Sequence, residues 1–279
     1  MQIKRITLSE SEAESLLPER EYGSFLSPGS LIIGGFEEDT LLVMGLFVRP
    51  DNWDSGYILE YLSTSNEGDM SVYSSYLKEV ETFFKGSTKW LNVRLRGNSP
   101  EFFSLHDLLV ENDYVPLNMS GRFLRYAALG INLENYTDTS KNSEILKNIC
   151  STKSIIPQKK KEFLQRMMAK NPAFSFPKTE SEKELSRFYV SKEGIVGFVI
   201  ANRISDNCIF VTDFYANKGP KGQRAFTALA LYLLGIIAGD RGILDIYFQI
   251  NDSYMYEAVK LIFGEPDDNQ LIFEFVKGI

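Results

Sequence analysis

Apolar and polar positions change period along this chain, and each change marks an element. Residues 2–8 alternate as a strand. Ser9 followed by Glu12 has the spacing of a capping box and predicts a helix to about residue 17. Pro18 to Gly29 reads as a loop. Apolar runs at 30–36 and 41–48, joined by Glu37-Glu-Asp-Thr40, predict a hairpin, and 57–63 a further strand. Val72, Tyr73, Tyr76, Leu77, Val80, Phe83 and Phe84 recur at helical spacing, with Gly86 as the stop. A strand at 90–95, a helix over 100–110 with Pro100 in its first turn, and a strand at 121–129 complete this half.

The stretch 132–143 is polar and reads as a domain boundary, giving domains 1–131 and 142–279. Helices are expected at 143–152 and 157–170, a loop or helix cap at 172–184, and a second hairpin at 185–190 and 194–201. The strongest pattern follows. An apolar, β-branched and aromatic run fills 208–216, then a loop 217–224, then 225–238, fourteen residues without a charge. A helix apolar on nearly every face must be buried on nearly every face. Residues 243–250 form the next strand, Asn251 opens a short helix, and 269–276 is the closing strand. Strand, helix, strand at this length is a βαβ unit with a right-handed crossover, and the N-terminus of its helix attracts phosphates.

The two halves repeat this order. Tyr57 and Cys208 start corresponding strands, as do Trp90 and Ile243. Tyr114-Val-Pro116 and Gly264-Glu-Pro266 follow corresponding helices, each time at an offset of about 150 residues. The fold class is α+β: two tandem domains, each a mixed, mostly antiparallel sheet flanked by helices.

This order resembles the GNAT superfamily of N-acetyltransferases in tandem arrangement. That family's diagnostic turn is Arg or Gln, two residues, Gly, one residue, then Gly or Ala, opening the helix after the fourth strand. Its matching positions here are Lys221-Gly-Gln-Arg-Ala-Phe226, with Lys221 as the basic residue and Arg224 and Phe226 at the glycine positions. The first half has Asn66-Glu-Gly-Asp69 there, acidic and without a cation. Asn251 matches the family's Asn after the fifth strand. The family's tyrosine acid falls on Val259, with Tyr256 the nearest phenol, and Gly-Phe is reversed as Phe263-Gly264. The resemblance implies acetyl-CoA or another acyl-CoA as co-substrate, held by Phe214, Tyr215, Lys221, Gly222, Gln223, Arg224, Ala225 and Asn251. It implies an amine acceptor, a small molecule or a peptide.

Acyl transfer to an amine needs a base and a proton donor. Asp213, a carboxylate inside the strand 208–216, is the candidate base, and Tyr256 the candidate acid. His106, the single histidine, reads as a surface or packed residue, and one histidine leaves no zinc cluster to assemble, so no metal is expected. Net charge is −7, with −8 over residues 1–130 and +1 over the rest. That acidity argues against nucleic acid and favours the second half as host for an anion. Cys150 and Cys208 are expected as reduced thiols. No apolar stretch reaches the ~20 residues of a membrane span, and residues 1–9 carry no signal core, so a cytoplasmic protein is expected. Two other functions compete with acyl-CoA transfer: a non-catalytic binding or regulatory pair, and tRNA-dependent aminoacyl transfer, which the basic run Lys159, Lys160, Lys161, Arg166 and Lys170 would serve.

Overall fold

The computed structural model describes residues 1–17, 29–49, 56–65, 69–133, 146–169 and 176–279. The expected loop at 18–29 apart from Gly29, the acidic turn at 66–69 apart from Asp69, most of the polar stretch 132–143, Lys170 and the start of 172–184 lie outside them. The chain forms two compact units. One is Met1–Gly121 with Gln270–Ile279, the other Arg122–Asn269.

The first unit holds β1 (Gln2–Ile6), α1 (Glu10–Leu16), β2 (Leu31–Glu37), β3 (Thr40–Val48), β4 (Gly56–Thr64), α2 (Met70–Phe84), β5 (Trp90–Gly97), α3 (Pro100–Glu111) and the start of β6 (Val115–Ala127). Ser9 caps α1 with the reciprocal Glu12 bond that the spacing predicts. Glu38 and Asp39 both take positive φ, the conformation of a two-residue hairpin turn, so the β2–β3 connection is tighter than the four residues expected. The sheet runs β1-β2-β3-β4-β5, and its last member is the final strand of the chain, β12 (Asp268–Gly278). β12 lies antiparallel to β5 from Leu271 opposite Gly97 to Gly278 opposite Trp90. His106 of α3 packs on Phe273 and Phe275 of that strand, with ring centroids 4.8 and 5.2 Å away. Of the two readings its sequence position left open, surface or packed, it is the packed one.

β4 and β5 pair in parallel only from Gly56 to Leu59, and a bulge in β4 follows at Glu60. Beyond it the strands are stapled by charge. Arg94 of β5 reaches Glu60 at 2.8 Å and Glu274 of β12 at 2.7 Å. Burial alone would push the Arg94 guanidinium down, yet the two carboxylates hold it above its ordinary value.

The second unit takes the remainder of β6, then β7 (Ile149–Cys150), α4 (Pro157–Met168), α5 (Glu180–Leu185), β8 (Arg187–Ser191), β9 (Gly194–Ser205), β10 (Cys208–Ala216), α6 (Pro220–Gly239), β11 (Asp245–Ile250) and α7 (Ser253–Phe263). Its sheet runs β6-β11-β10-β9-β8-β7. β10 and β11 are parallel and the other pairs antiparallel. α6 and α7 cover one face, packing on Val199, Ala201, Val211, Phe214, Ile246 and Phe248. On the opposite face α4 covers Phe188, Phe198 and Ile200. α6 is long and apolar enough, by length and composition only, to cross a membrane, although its first turns carry Lys221 and Arg224. Here the helix is packed on the sheet, with Ala225, Leu229 and Leu234 fully buried.

Three further expectations change. The domain limits 1–131 and 142–279 give way to an exchange of strands: residues 122–127 pair with β11, and β12 closes the first sheet. Of the helix expected at 143–152, the described residues keep Leu146 in a helix, followed by a turn, the strand Ile149–Cys150 and a 3₁₀ turn at Thr152–Ser154. The loop 217–224 is mostly helix, because Pro220 sits in the first turn, where its missing N–H costs nothing. The thiols Cys150 and Cys208 are both free. β8 and β9 separate their strands by about 14 Å, at ~4.8 Å per strand, beyond disulfide reach.

Two outcomes follow from this architecture. Arg94→Ala leaves two carboxylates facing each other, and should destabilise the first unit by roughly 2–4 kcal/mol, measured by urea unfolding monitored by tryptophan fluorescence. Ending the chain after Asn269 removes the partner of β5. Amide exchange at 91–95 should then rise to unfolded-chain rates while α6 stays protected; protection of 91–95 in the shortened chain would contradict the strand assignment.

Candidate functional site

The site builds on how β10 leaves β11. The two strands pair from Cys208 opposite Asp245 to Val211 opposite Phe248, and there the pairing stops although both continue. A bulge in β10 falls at the same place. Val211 pairs with Ala201 of β9 and Asp213 with Ile200, leaving Thr212 unmatched, its Oγ1 bonded to the Ile200 carbonyl. Past Val211 the β10 backbone on the β11 side is therefore not spent in a ladder.

The bulge places Asp213 on the α4 face, beside Ile200, while its neighbour Phe214 returns to the α6 face. Asp213 is half-buried, and desolvation raises its carboxyl to about 7. Tyr215 stacks on Phe198 at 5.5 Å and donates to Asn217 Oδ1 at 2.9 Å. Phe214 stacks on Phe226 at 4.9 Å beneath α6. The side chains of these two expected cofactor residues are thus engaged within the unit.

Gly219 opens α6 at φ +92, a conformation that favours glycine, and any side chain at Gly222 would collide with the Asn217 carbonyl. These glycines shape the turn itself. The position expected as a first family glycine is exposed Arg224, and the second is buried Phe226. Among the expected cofactor residues, Gln223 has its N–H spent on the Gly219 carbonyl at 3.0 Å. Helix geometry leaves Lys221 and Gly222, the two residues before it, without an i−4 acceptor. Ala225 is wholly buried in the core. Lys221 is exposed and pairs with Glu193 of the β8–β9 turn at 2.5 Å. Asn251 is exposed just before α7, whose cap is its neighbour Asp252.

A groove of about 660 Å³ runs between α6 and α7, lined on one side by Gln223, Phe226 and Thr227 and on the other by Tyr254, Glu257 and Ala258. Tyr254 escaped the sequence reading, although it lies three residues after Asn251. Tyr256 does not join Asp213. Its hydroxyl accepts from Asn269 Nδ2 at 3.0 Å, and Arg122 of β6 lies 4.4 Å over its ring. It sits on a helix of the α6 face towards β6, with β11 between that strand and β10. The basic residues of α4 are also partly occupied. Lys159 donates to the Ser191 carbonyl, Arg166 to that of Ile195, and Lys160 lies over the Phe176 ring. Among the described residues no three His, Cys, Asp or Glu gather as metal ligands.

The first unit offers a contrast at the equivalent place. Its bulge residue is Glu60, and the Glu60–Arg94–Glu274 staple ties β4, β5 and β12 together, whereas among the described residues no ion pair joins β10 to β11 and only Asp245 of β11 pairs with Arg125 of β6. Asp69 caps α2 by accepting from Ser71, which puts a carboxylate at the helix N-terminus.

No family model and no curated protein sequence matches the chain. Solved structures do match in fold. A tandem GNAT protein from the clavulanic acid biosynthesis pathway superposes with a TM-score of 0.55 at 11% identity, over 99% of this chain and 98% of that one. A GCN5-related N-acetyltransferase from Sphaerobacter thermophilus gives 0.60 at 9%, over 99% and 97%. One from Kribbella flavida gives 0.55 at 14%, over 98% and 97%. With the splayed parallel pair, the bulge and the strand–helix order on the same footing, the chain has the fold of the tandem GNAT proteins.

Proposed function

We propose that the second unit transfers an acyl group from an acyl-CoA to an amine. The observation that carries this is the parting of β10 from β11 at Val211, with a half-buried carboxylate two residues on. A thioester arm laid between the strands meets unspent backbone N–H groups able to take negative charge on its carbonyl oxygen. Asp213, ionised above about pH 7, takes a proton from the incoming ammonium. The amine nitrogen then attacks the thioester carbon, the tetrahedral adduct expels the CoA thiolate, and the nitrogen's remaining excess proton leaves with it. The pyrophosphate is placed at the N–H groups of Lys221 and Gly222, where the helix dipole and two cations favour it, and the groove between α6 and α7 takes up adjoining parts of the cofactor.

The Lys221–Glu193 pair sets a specific cost, because an anion must compete with Glu193. Calorimetric titration with CoA should show about fivefold weaker binding for Lys221→Glu and tighter binding for Glu193→Gln, the size of one exposed charge-assisted bond. Absence of CoA binding in wild type and both variants would remove the acyltransferase reading.

Asp213 also makes a stability prediction. Its folded pKa lies above its ordinary value, so the native state binds the extra proton and stability falls as pH rises from about 4 to about 7. Asp213→Asn should therefore stabilise the protein at pH 8, by on the order of 2–4 kcal/mol, with the gain shrinking towards pH 4. The same change should abolish the rise of acyl-transfer rate through pH 7. Thermal unfolding across pH, beside a pH–rate profile, checks both signs.

A further inference from the structure

The first unit carries a cavity that acyl transfer does not use. It holds about 320 Å³ at the C-terminal end of α2, lined by Arg5, Leu31, Arg49, Tyr57, Phe83 and Ser87 among others. Strand pairing explains how these residues meet. Arg5 of β1 stands opposite Ile33 of β2, and Ile33 belongs to the core under α2, so Arg5 leaves the sheet on the α2 face. Leu31 and Tyr57, at the starts of β2 and β4, pack on that same core. Arg49 directly follows the end of β3, at the same end of the sheet. Above them α2 finishes. Its Phe84 is buried 4.8 Å from the Tyr57 ring, while Phe83, edge-on to Phe84, is 45% exposed. The Phe84 carbonyl accepts from the Ser87 N–H at 2.9 Å and its hydroxyl at 2.8 Å, so the chain itself closes this helix end.

The cavity is not the counterpart of the site proposed in the second unit. That counterpart would lie at the N-terminus of α2, where Asp69 stands, and the fifteen residues of the helix put about 22 Å between the two places. Charge and size then select a ligand. Residues 1–130 carry −8, yet among the described residues the charged side chains lining the cavity are both arginines. Their two charges exceed the half charge of a helix C-terminus. A guanidinium fork matches two oxygens of one anion, and two forks match a phosphate monoester, which carries close to two negative charges above pH 7. A carboxylate would leave one cation unmatched. The exposed Phe83 ring offers a surface on which a flat ring packs. A volume of 320 Å³ lies at the low end of the roughly 300–1,000 Å³ of small-molecule pockets, which suits a ring with one phosphate and not a whole coenzyme.

We infer that the first unit binds a small aromatic phosphate monoester in this cavity, with Arg5 and Arg49 on the phosphate and Phe83 against the ring. The inference stands on the first unit alone and does not depend on acyl transfer in the second.

The probes are phenyl phosphate, inorganic phosphate and phenylacetate, titrated calorimetrically into the full chain at pH 8. Phenyl phosphate should bind at least about tenfold tighter than inorganic phosphate, which lacks the ring, and about fivefold tighter than phenylacetate, which lacks the second charge. Arg5→Ala should weaken phenyl phosphate about tenfold. Phe83→Ala should weaken it about fivefold and leave inorganic phosphate unchanged. Lys221→Glu, in the second unit, should alter none of these. Phenyl phosphate no tighter than inorganic phosphate overturns the inference, as does phenylacetate binding equally well. Binding that Lys221→Glu removes and Arg5→Ala spares also overturns it, because the anion then sits at α6. Should a variant fail to fold, the ranking of the three probes on wild type decides alone. CoA binding without phenyl phosphate binding sinks this inference and leaves acyl transfer standing. Phenyl phosphate binding without CoA binding does the reverse.

Discussion

The second unit depends on a hydrogen-bond ladder that ends early. Four residue pairs hold β10 and β11 in parallel, and nothing of the ladder remains after Val211 opposite Phe248. A parallel pair at the centre of a sheet usually persists, because unspent backbone groups in the interior are costly. Here the bulge at Thr212 turns the chain instead, and everything chemical lies within a few residues of it. The bulge sets Asp213 on one face and Phe214 on the other. It also opens the gap beyond which, four residues after the end of β10, α6 begins.

The two units show what a single charge arrangement does to this geometry. In the first, the bulge residue Glu60 meets Arg94, and Arg94 meets Glu274. In the second, the bulge residue is a threonine that bonds the neighbouring strand's backbone, and the nearby carboxylate has no cation among the causes of its shift. One wedge is pinned by ions and the other carries a carboxylate kept close to neutrality. Asp213 is costly to the fold for the same reason it suits proton transfer, a trade that active sites commonly make.

Much of the fold could be read from residue pattern, and what could not has physical reasons. Period and punctuation located β2 to β5, α2, α3 and β8 to β11 because each buries a face of its own. Alternation also revealed that 121–129 and 269–276 are strands. It could not say which sheet they join, since that depends on pairing between residues as far apart as Arg94 and Glu274, 180 positions. The start of α6 was hidden because Gly219, Pro220 and Gly222 resemble a loop, although Pro220 belongs in a first turn. Asp213 was legible as a carboxylate inside an apolar strand. Tyr256 looked close to the chemistry in sequence, but sheet order sets β11 between its neighbourhood on β6 and β10.

The exchanged strands also set an order of assembly. The second unit is complete once residues 122–269 have been made, since five of its strands and the 122–127 part of β6 lie in that span. The first unit begins earlier yet must wait, with the β5 edge unpaired, until β12 arrives. During synthesis the older half is thus the later to finish, and for that interval β5 is an open template for any extended chain. Arg94 and Arg96, alternating along that edge, place like charges where a second copy of β5 would pair, and so guard it until Glu274 comes.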